Sequence, residues 1–381
     1  MKLLAAFVGC LLLLVILWDA FEAIVLPRRV SRRLRLTRLF YRFTWKGWSL
    51  AARRMKPGKK RNSYLGYYGP LSLLFLLGVW ALGLIIGFAM LHWAEGSRLD
   101  TNQGTASFKT DLYMSGTTFF TLGLGDVVPR GPMARFLTVA EAGMGFGFLA
   151  MAISYFPMLY QAFSKREIDI SLLDARAGSP PSAVELLRRY GHKQNLDALA
   201  QLLRDWEVWS AELLEGLLSY PVLGYFRSQH NNQSWLAALT TILDACSLII
   251  VSCEGAPDWQ ARMTFAMARH AIVDLAQVYD APPRPPNPER LSSSELRELH
   301  ILLEQTAIPF CDVEGADKKL AHLRRNYESY VNSLADHFMV TLPSWRRAGE
   351  ALDNWQTSAW EHTPARFEES ESAEQNAEHS W

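Results

Sequence analysis

Three stretches of the chain stay apolar for long enough to cross a bilayer, which takes about 20 residues as helix. Leu3 to Leu26 is interrupted by Asp19 and Glu22 near its end, and Pro70 to Trp93 holds no Lys, Arg, Asp or Glu. Met133 to Phe163 carries Arg135 and Glu141 alone among charged types. Between the second and third stretches, Phe108 to Phe120 is too short to span and long enough for a half-helix. Past residue 182 the pattern changes: apolar positions recur at helical spacing among polar ones, over 182–191, 195–217, 233–253, 258–279, 293–307 and 315–339. The pattern predicts an all-α membrane protein. Three transmembrane helices and a re-entrant segment precede an all-helical cytosolic domain. Leu236 to Cys253 is apolar but holds Asp244, which predicts a buried helix rather than a fourth span.

Charge sets the orientation. The net charge of +1 hides 14 Lys/Arg and no Asp/Glu from Arg28 to Arg61, and 20 Lys/Arg against 31 Asp/Glu from Ser164 onward. Basic residues beside a span stay on the cytoplasmic side. That places the N-terminus outside, the C-terminal half in the cytosol and the protein in the plasma membrane, or the inner membrane of a bacterium. A cleaved signal peptide is the alternative for the first stretch. The dense basic cluster behind it and the weak basic start (Lys2) favour an uncleaved helix. Arg28, Arg29, Arg32, Arg33, Arg35 and Arg38 can meet anionic headgroups along a partly amphipathic segment, or serve as a topology signal; both readings stand. Trp45, Trp48, Tyr64, Tyr67, Tyr68 and Trp93 suit the membrane–water boundaries. The divisions expected are 1–27 first helix, 28–69 basic cytosolic loop, 70–163 pore domain, 164–181 linker, 182–365 helical domain and 366–381 acidic disordered tail. Pro282 to Pro288 is a stiff break within the helical domain.

The chemistry is concentrated at Thr121-Leu122-Gly123-Leu124-Gly125-Asp126. A filter replaces the water around a cation with rings of backbone carbonyls. Aiming successive carbonyls at one axis needs backbone angles that L-residues resist and glycine accepts. The half-helix before it, with Tyr113, Thr117, Thr118, Phe119 and Phe120, points its carbonyl end at the membrane centre, where a cation is stabilised. Asp126 follows at the outer mouth, where a carboxylate ring concentrates cations. Pro129 ends the excursion.

Gly69 to Glu167 resembles the two-helix, one-pore-loop unit of the potassium channel superfamily. Thr118, Thr121, Gly123, Gly125, Asp126 and Pro129 carry the likeness, with Arg135 and Gly145 at positions where that family often has a basic residue and a flexible glycine. The resemblance implies a homotetramer conducting K⁺ passively, with K⁺ held by the backbone of Thr121, Leu122, Gly123 and Leu124. Two positions depart from it: Leu122 and Leu124 stand where the family usually has Val or Ile and Tyr or Phe. Leu cannot make the hydrogen bond of that tyrosine, so a nonselective cation pore remains the alternative.

On the third helix, Gly143, Gly145 and Gly147 ease bending or allow close packing. Gly143 and Gly147 share a face that suits packing, and Gly145 is assigned to the hinge. Glu141 is costly in a membrane and must face protein or water, hydrogen-bonded to the back of the pore helix, the favoured reading, or placed along the ion path. Tyr155 and Phe156, beside Pro157, are candidates for an apolar gate or are boundary residues. Cys10, Cys246, Cys253 and Cys311 lack metal spacing. No nucleophile motif, phosphate loop, strand–helix alternation or cyclic-nucleotide barrel is visible. The chain is therefore read as a non-enzyme with no cofactor beyond the permeant ion and no nucleic-acid partner. A non-conducting membrane-anchored sensor or scaffold is the competing class, and a K⁺ transporter would need four linked copies of the unit.

Overall fold

A computed structural model of the chain describes residues 1–26, 35–97, 99–101, 107–190, 195–229, 233–251, 257–285, 289–304 and 313–346. Arg28, Arg29, Arg32, Arg33, Cys253, Cys311 and the tail from Arg366 lie outside these ranges. By length and composition, three helices can cross a membrane, and the rest of the described chain is almost entirely helical.

Helix α1 (Lys2–Ala20) ends in a π-helical turn, Phe21–Val25. It lies along α3 (Lys59–Glu95). Gly83 and Gly87, four residues apart on α3, are where the two backbones approach. A Cβ on Gly83 would fall 2.2 Å from Ile16 Cδ1, and one on Gly87 would fall 2.7 Å from Leu13 Cδ2. Small residues at this spacing let helices pack without hydrophobic drive from the lipid. Asp19, which interrupts the first apolar stretch, is buried and satisfied: it accepts from Trp80 Nε1 at 3.0 Å and Thr37 Oγ1 at 2.6 Å.

Helix α2 (Leu36–Arg53) does not lie free on a surface. Phe40 packs on Phe75 with centroids 5.3 Å apart, Tyr41 stacks on Tyr225 at 5.9 Å, and Trp45 donates its indole N–H to the His337 carbonyl at 3.1 Å. Trp45 and Tyr68, expected at the water boundary, are instead buried at this junction. Aromatic rings with one polar tip serve either setting, and here the partner is protein. Arg35 and Arg38 are likewise paired within the chain, with Glu22 at 3.2 Å and Asp280 at 3.7 Å.

Helix α5 (Pro132–Ala177) passes through Pro157 and continues beyond the expected end at Phe163, so residues assigned to a linker are its last turns. Arg166 explains the continuation. Its guanidinium donates to the carbonyls of Leu223 at 2.8 Å and Phe226 at 3.1 Å, tying α5 to the 3-10 turn Pro221–Tyr225. Gly178, with φ +82°, follows the last turn.

The helical domain comprises α6 (Ala183–Tyr190), α7 (Leu196–Ser219), α8 (Trp235–Val251), α9 (Asp258–Val278), α10 (Ser293–Glu304), α11 (Val313–Arg325) and α12 (Glu328–Phe338). Helix α8 is its core, with every residue from Trp235 to Ile249 buried. Asp244 within it pairs with Arg290 and accepts from Tyr327 Oη at 2.6 Å. The single helix expected over 315–339 is two. The chain turns between them and buries Tyr327 against Asp244.

Candidate selectivity filter and its supports

Helix α4 (Phe108–Phe119) starts with a capping box in which Ser107 and Thr110 satisfy each other's backbone donors. Its polar back is sealed by buried groups. Ser115 Oγ donates to the Glu141 carboxylate of α5 and lies 2.7 Å from the Ile85 carbonyl of α3. His92 Nε2 stands 3.8 Å from Glu141 Oε2, and Asp111 accepts from Ser97 Oγ at 2.6 Å. Glu141, Ser115, His92 and Asp111 are each at most 1% exposed. The sequence singled out Glu141. Ser115, Asp111 and His92 were missed; of the three, His92 alone stands out as a polar residue in an otherwise apolar stretch, while Ser115 and Asp111 lie among the other polar residues of α4.

The C-terminal end of α4 runs directly into the candidate filter residues, Thr121 to Asp126. Thr121 N–H donates to the Thr118 carbonyl at 3.0 Å and Leu122 N–H to the Thr117 carbonyl at 2.8 Å. Thr121, Gly123 and Gly125 then have φ of +56°, +54° and +77°, while Leu122 and Leu124 between them keep negative φ. Alternation between left- and right-handed angles turns successive carbonyls to the same side of the strand. At Gly123 and Gly125 this costs little; at Thr121 it puts a non-glycine residue in the left-handed region. All six residues from Thr121 to Asp126 are exposed in the single chain, Leu122 and Leu124 by more than 60%. Tyr113 of α4 lies near Asp126. The return is braced by an antiparallel pair of short strands, β1 (Leu99–Thr101) and β2 (Val127–Pro129), with Asp100 opposite Val128.

Phe119 is buried against Phe148 of α5, with centroids 5.6 Å apart, and Phe120 is exposed. Thr117 Oγ1 turns back to the Met114 carbonyl at 2.9 Å. Behind them the glycines of α5 divide differently from the expectation. A Cβ on Gly145 would fall 2.0 Å from the Phe119 carbonyl oxygen, whereas among the described residues nothing beyond the glycine's own stretch of helix comes within 4 Å of a Cβ on Gly143 or Gly147. Within the chain, close packing therefore belongs to Gly145 rather than to the pair sharing the other face. Tyr155 is also corrected. It is buried against Tyr220 at 5.7 Å, covered by its own chain, so of the two gate candidates Phe156 is the one left partly exposed.

A half-helix, a strand with alternating handedness and two flanking apolar helices define a class: a membrane protein bearing an ion-channel pore domain of the two-helix, potassium-channel type. A profile of the ion channel family matches residues 74–162. The chain is 21% identical over 281 residues to the uncharacterized membrane protein YdjJ of Bacillus subtilis (strain 168), covering 71% of this chain and 79% of that protein. It is 33% identical over 86 residues to Protein LctB of Bacillus caldotenax and 31% identical over 86 residues to Protein LctB of Geobacillus stearothermophilus. Each LctB match covers 20% of this chain and 63% of the relative, somewhat under two thirds of its length. No solved structure matches the chain.

Proposed function

We propose that the protein is a homotetrameric potassium channel that conducts K⁺ passively, each chain supplying one quarter of a carbonyl-lined filter. The observation that carries this reading is the alternation of φ at Thr121, Gly123 and Gly125 in a strand left uncovered by its own chain. Carbonyls of Thr121, Leu122, Gly123 and Leu124 would replace the hydration shell of K⁺. Backbone at membrane depth is tolerated only when buried in protein or lining water, and each unsatisfied group costs several kcal/mol. Symmetric copies around the strand remove that cost and complete the ion cage. The 14 basic residues between the first two spans support an outside N-terminus and a cytosolic C-terminus.

A nonselective cation pore is the second reading, favoured by Leu122 and Leu124 where Val or Ile and Tyr or Phe are usual: the Leu124 side chain cannot make the tyrosine's hydrogen bond to the pore helix from behind the filter. Ion flux from the purified full chain in liposomes separates the two. K⁺ flux well above Na⁺ flux supports the potassium channel, equal fluxes support the nonselective pore, and absence of both removes the conduction reading.

A further inference from the structure

Two faces of the chain, one basic and one acidic, combine exposed apolar residues with charge of a single prevailing sign. The first lies on α2. Leu39, Phe43 and Leu50 recur at helical spacing, turned away from the side on which Tyr41 meets Tyr225 and Trp45 meets His337. Phe43 is 70% and Leu50 55% exposed. Lys46 and Arg54 flank them on the same side, and neither has an acidic partner within 4.0 Å among the described residues.

The second face joins the end of α5 to α7. Ile168 and Leu172, one turn apart and beyond the expected end of the third span, are 57% and 49% exposed. The Lys165–Glu212 ion pair, at 2.5 Å, sets α7 beside them, and Val208, one turn from that bond, is 53% exposed. Asp169 is close enough to Glu212 and Asp205 to feel their charge. Glu215 adds a fourth carboxylate, against the cations Lys165 and Arg204.

Copies related by rotation about the membrane normal meet only at equal depth, and the two faces satisfy that condition. Helix α2 is fixed at the inner ends of the first two spans: Asp19 of α1 accepts from Thr37, and Trp48 stacks on Tyr64 of α3. Ile168 and Leu172 follow the inner end of the third span. Different faces that recognise each other make a head-to-tail contact, and such contacts generate a ring when the rotation closes.

We propose that the α2 face of each copy docks on the α5–α7 face of the next, an inference that rests on the reading of several copies around one pore. Apolar burial supplies the adhesion, and opposite charge selects which face meets which. A membrane surface would cover Leu39, Phe43 and Leu50 but leave Ile168, Leu172 and Val208 bare, beside carboxylates that anionic headgroups repel. The next copy covers both. The contact also ties the helical domain of one copy to the segment that leads into the pore domain of its neighbour.

The test links full-length chains in liposomes. Two singly substituted chains, F43C and V208C, are produced together and treated with a short bifunctional thiol reagent. A linked pair holding one chain of each kind is expected, well above any product of either chain alone or of the native cysteines. K46E/R54E on the first chain, or D205K/E215K on the second, should cut that product about 10-fold, and the two reversals together should restore it. All four positions are exposed, so neither double variant disturbs a core. A product indifferent to either reversal, or not restored by both, would overturn the proposal. So would a probe on F43C that is quenched by brominated lipid and gives no link to V208C. A tetrameric mass without the mixed product overturns this contact alone, whereas a monomeric mass removes the pore reading with it.

Discussion

Gly145 and Ser115 show how single atoms hold the filter's position. Alanine at Gly145 would drive its methyl into the Phe119 carbonyl, at the point where the pore helix hands over to Thr121. Overpacking of this kind costs about 1–3 kcal/mol. Gly145→Ala should lower the melting temperature of the reconstituted protein and its flux. Gly143→Ala and Gly147→Ala should hold the fold's stability or raise it, since alanine gains up to about 1 kcal/mol over glycine inside a helix. The reverse ordering in thermal melts would return the packing role to Gly143 and Gly147. Ser115→Ala leaves the Glu141 carboxylate without the hydroxyl that donates to it, and a buried group deprived of its partner costs about 1–3 kcal/mol. Glu141→Gln, which keeps a hydrogen-bonding oxygen, should cost less than Glu141→Ala, and equal losses would mean that the contact with Ser115 contributes little. The left-handed angles at Gly123 and Gly125 were legible because backbone conformation restricts which residues can stand at alternate positions. Glu141 was legible as a charge in an apolar helix. Its partner was not, because Ser115 and His92 come from two other helices.

Helix α2 carries the contrast between pattern and packing. Its basic and apolar residues alternate as they would in a segment lying on headgroups, and sequence periodicity cannot distinguish lipid from protein as the apolar partner. The difference is decided by Tyr225, His337 and Phe338, distant in the chain, which close around Trp45 and Tyr68. Trp45→Ala should therefore destabilise the whole chain by about 3–5 kcal/mol, the usual cost of emptying a buried aromatic site. A melting temperature unchanged by that substitution would contradict the docked arrangement. The same junction has a pH signature. Burial lowers the His337 pKa from 6.5 to about 4. The unfolded chain takes up a proton there before the folded one does. Its contribution is thus complete above about pH 6.5 and declines as pH falls toward 4, by a few kcal/mol in total. Melts between pH 7 and 4 should fall less steeply for His337→Gln than for the native chain, and parallel slopes would rule His337 out as the source. The six helical stretches of the domain were readable from periodicity, apart from the break at Tyr327. That break answers to Asp244 on another helix.

At the scale of the whole molecule, α5 leaves a broad apolar face uncovered. Phe136, Val139 and Phe146 of α5 are 67%, 73% and 69% exposed, and Thr121 to Asp126 are all exposed as well. By contrast α3, the second span, packs against α1, α4 and α5 and is buried over 56% of its apolar window, against 11% for α5. An uncovered inner helix beside an uncovered filter is the arrangement that fourfold closure completes, so the full chain in mild detergent should have the mass of four copies; a monomer or a closed dimer would deny the cage its remaining sides. The central claim is conduction through the carbonyls of Thr121 to Gly125, and Gly123→Ala tests it most directly. Gly123 sits at φ +54° with open space around its Cβ position, so alanine meets backbone strain there without a clash inside the chain. Potassium flux into liposomes should be abolished in Gly123→Ala while its mass in detergent matches that of the native protein. Undiminished flux in a correctly assembled variant would contradict the account.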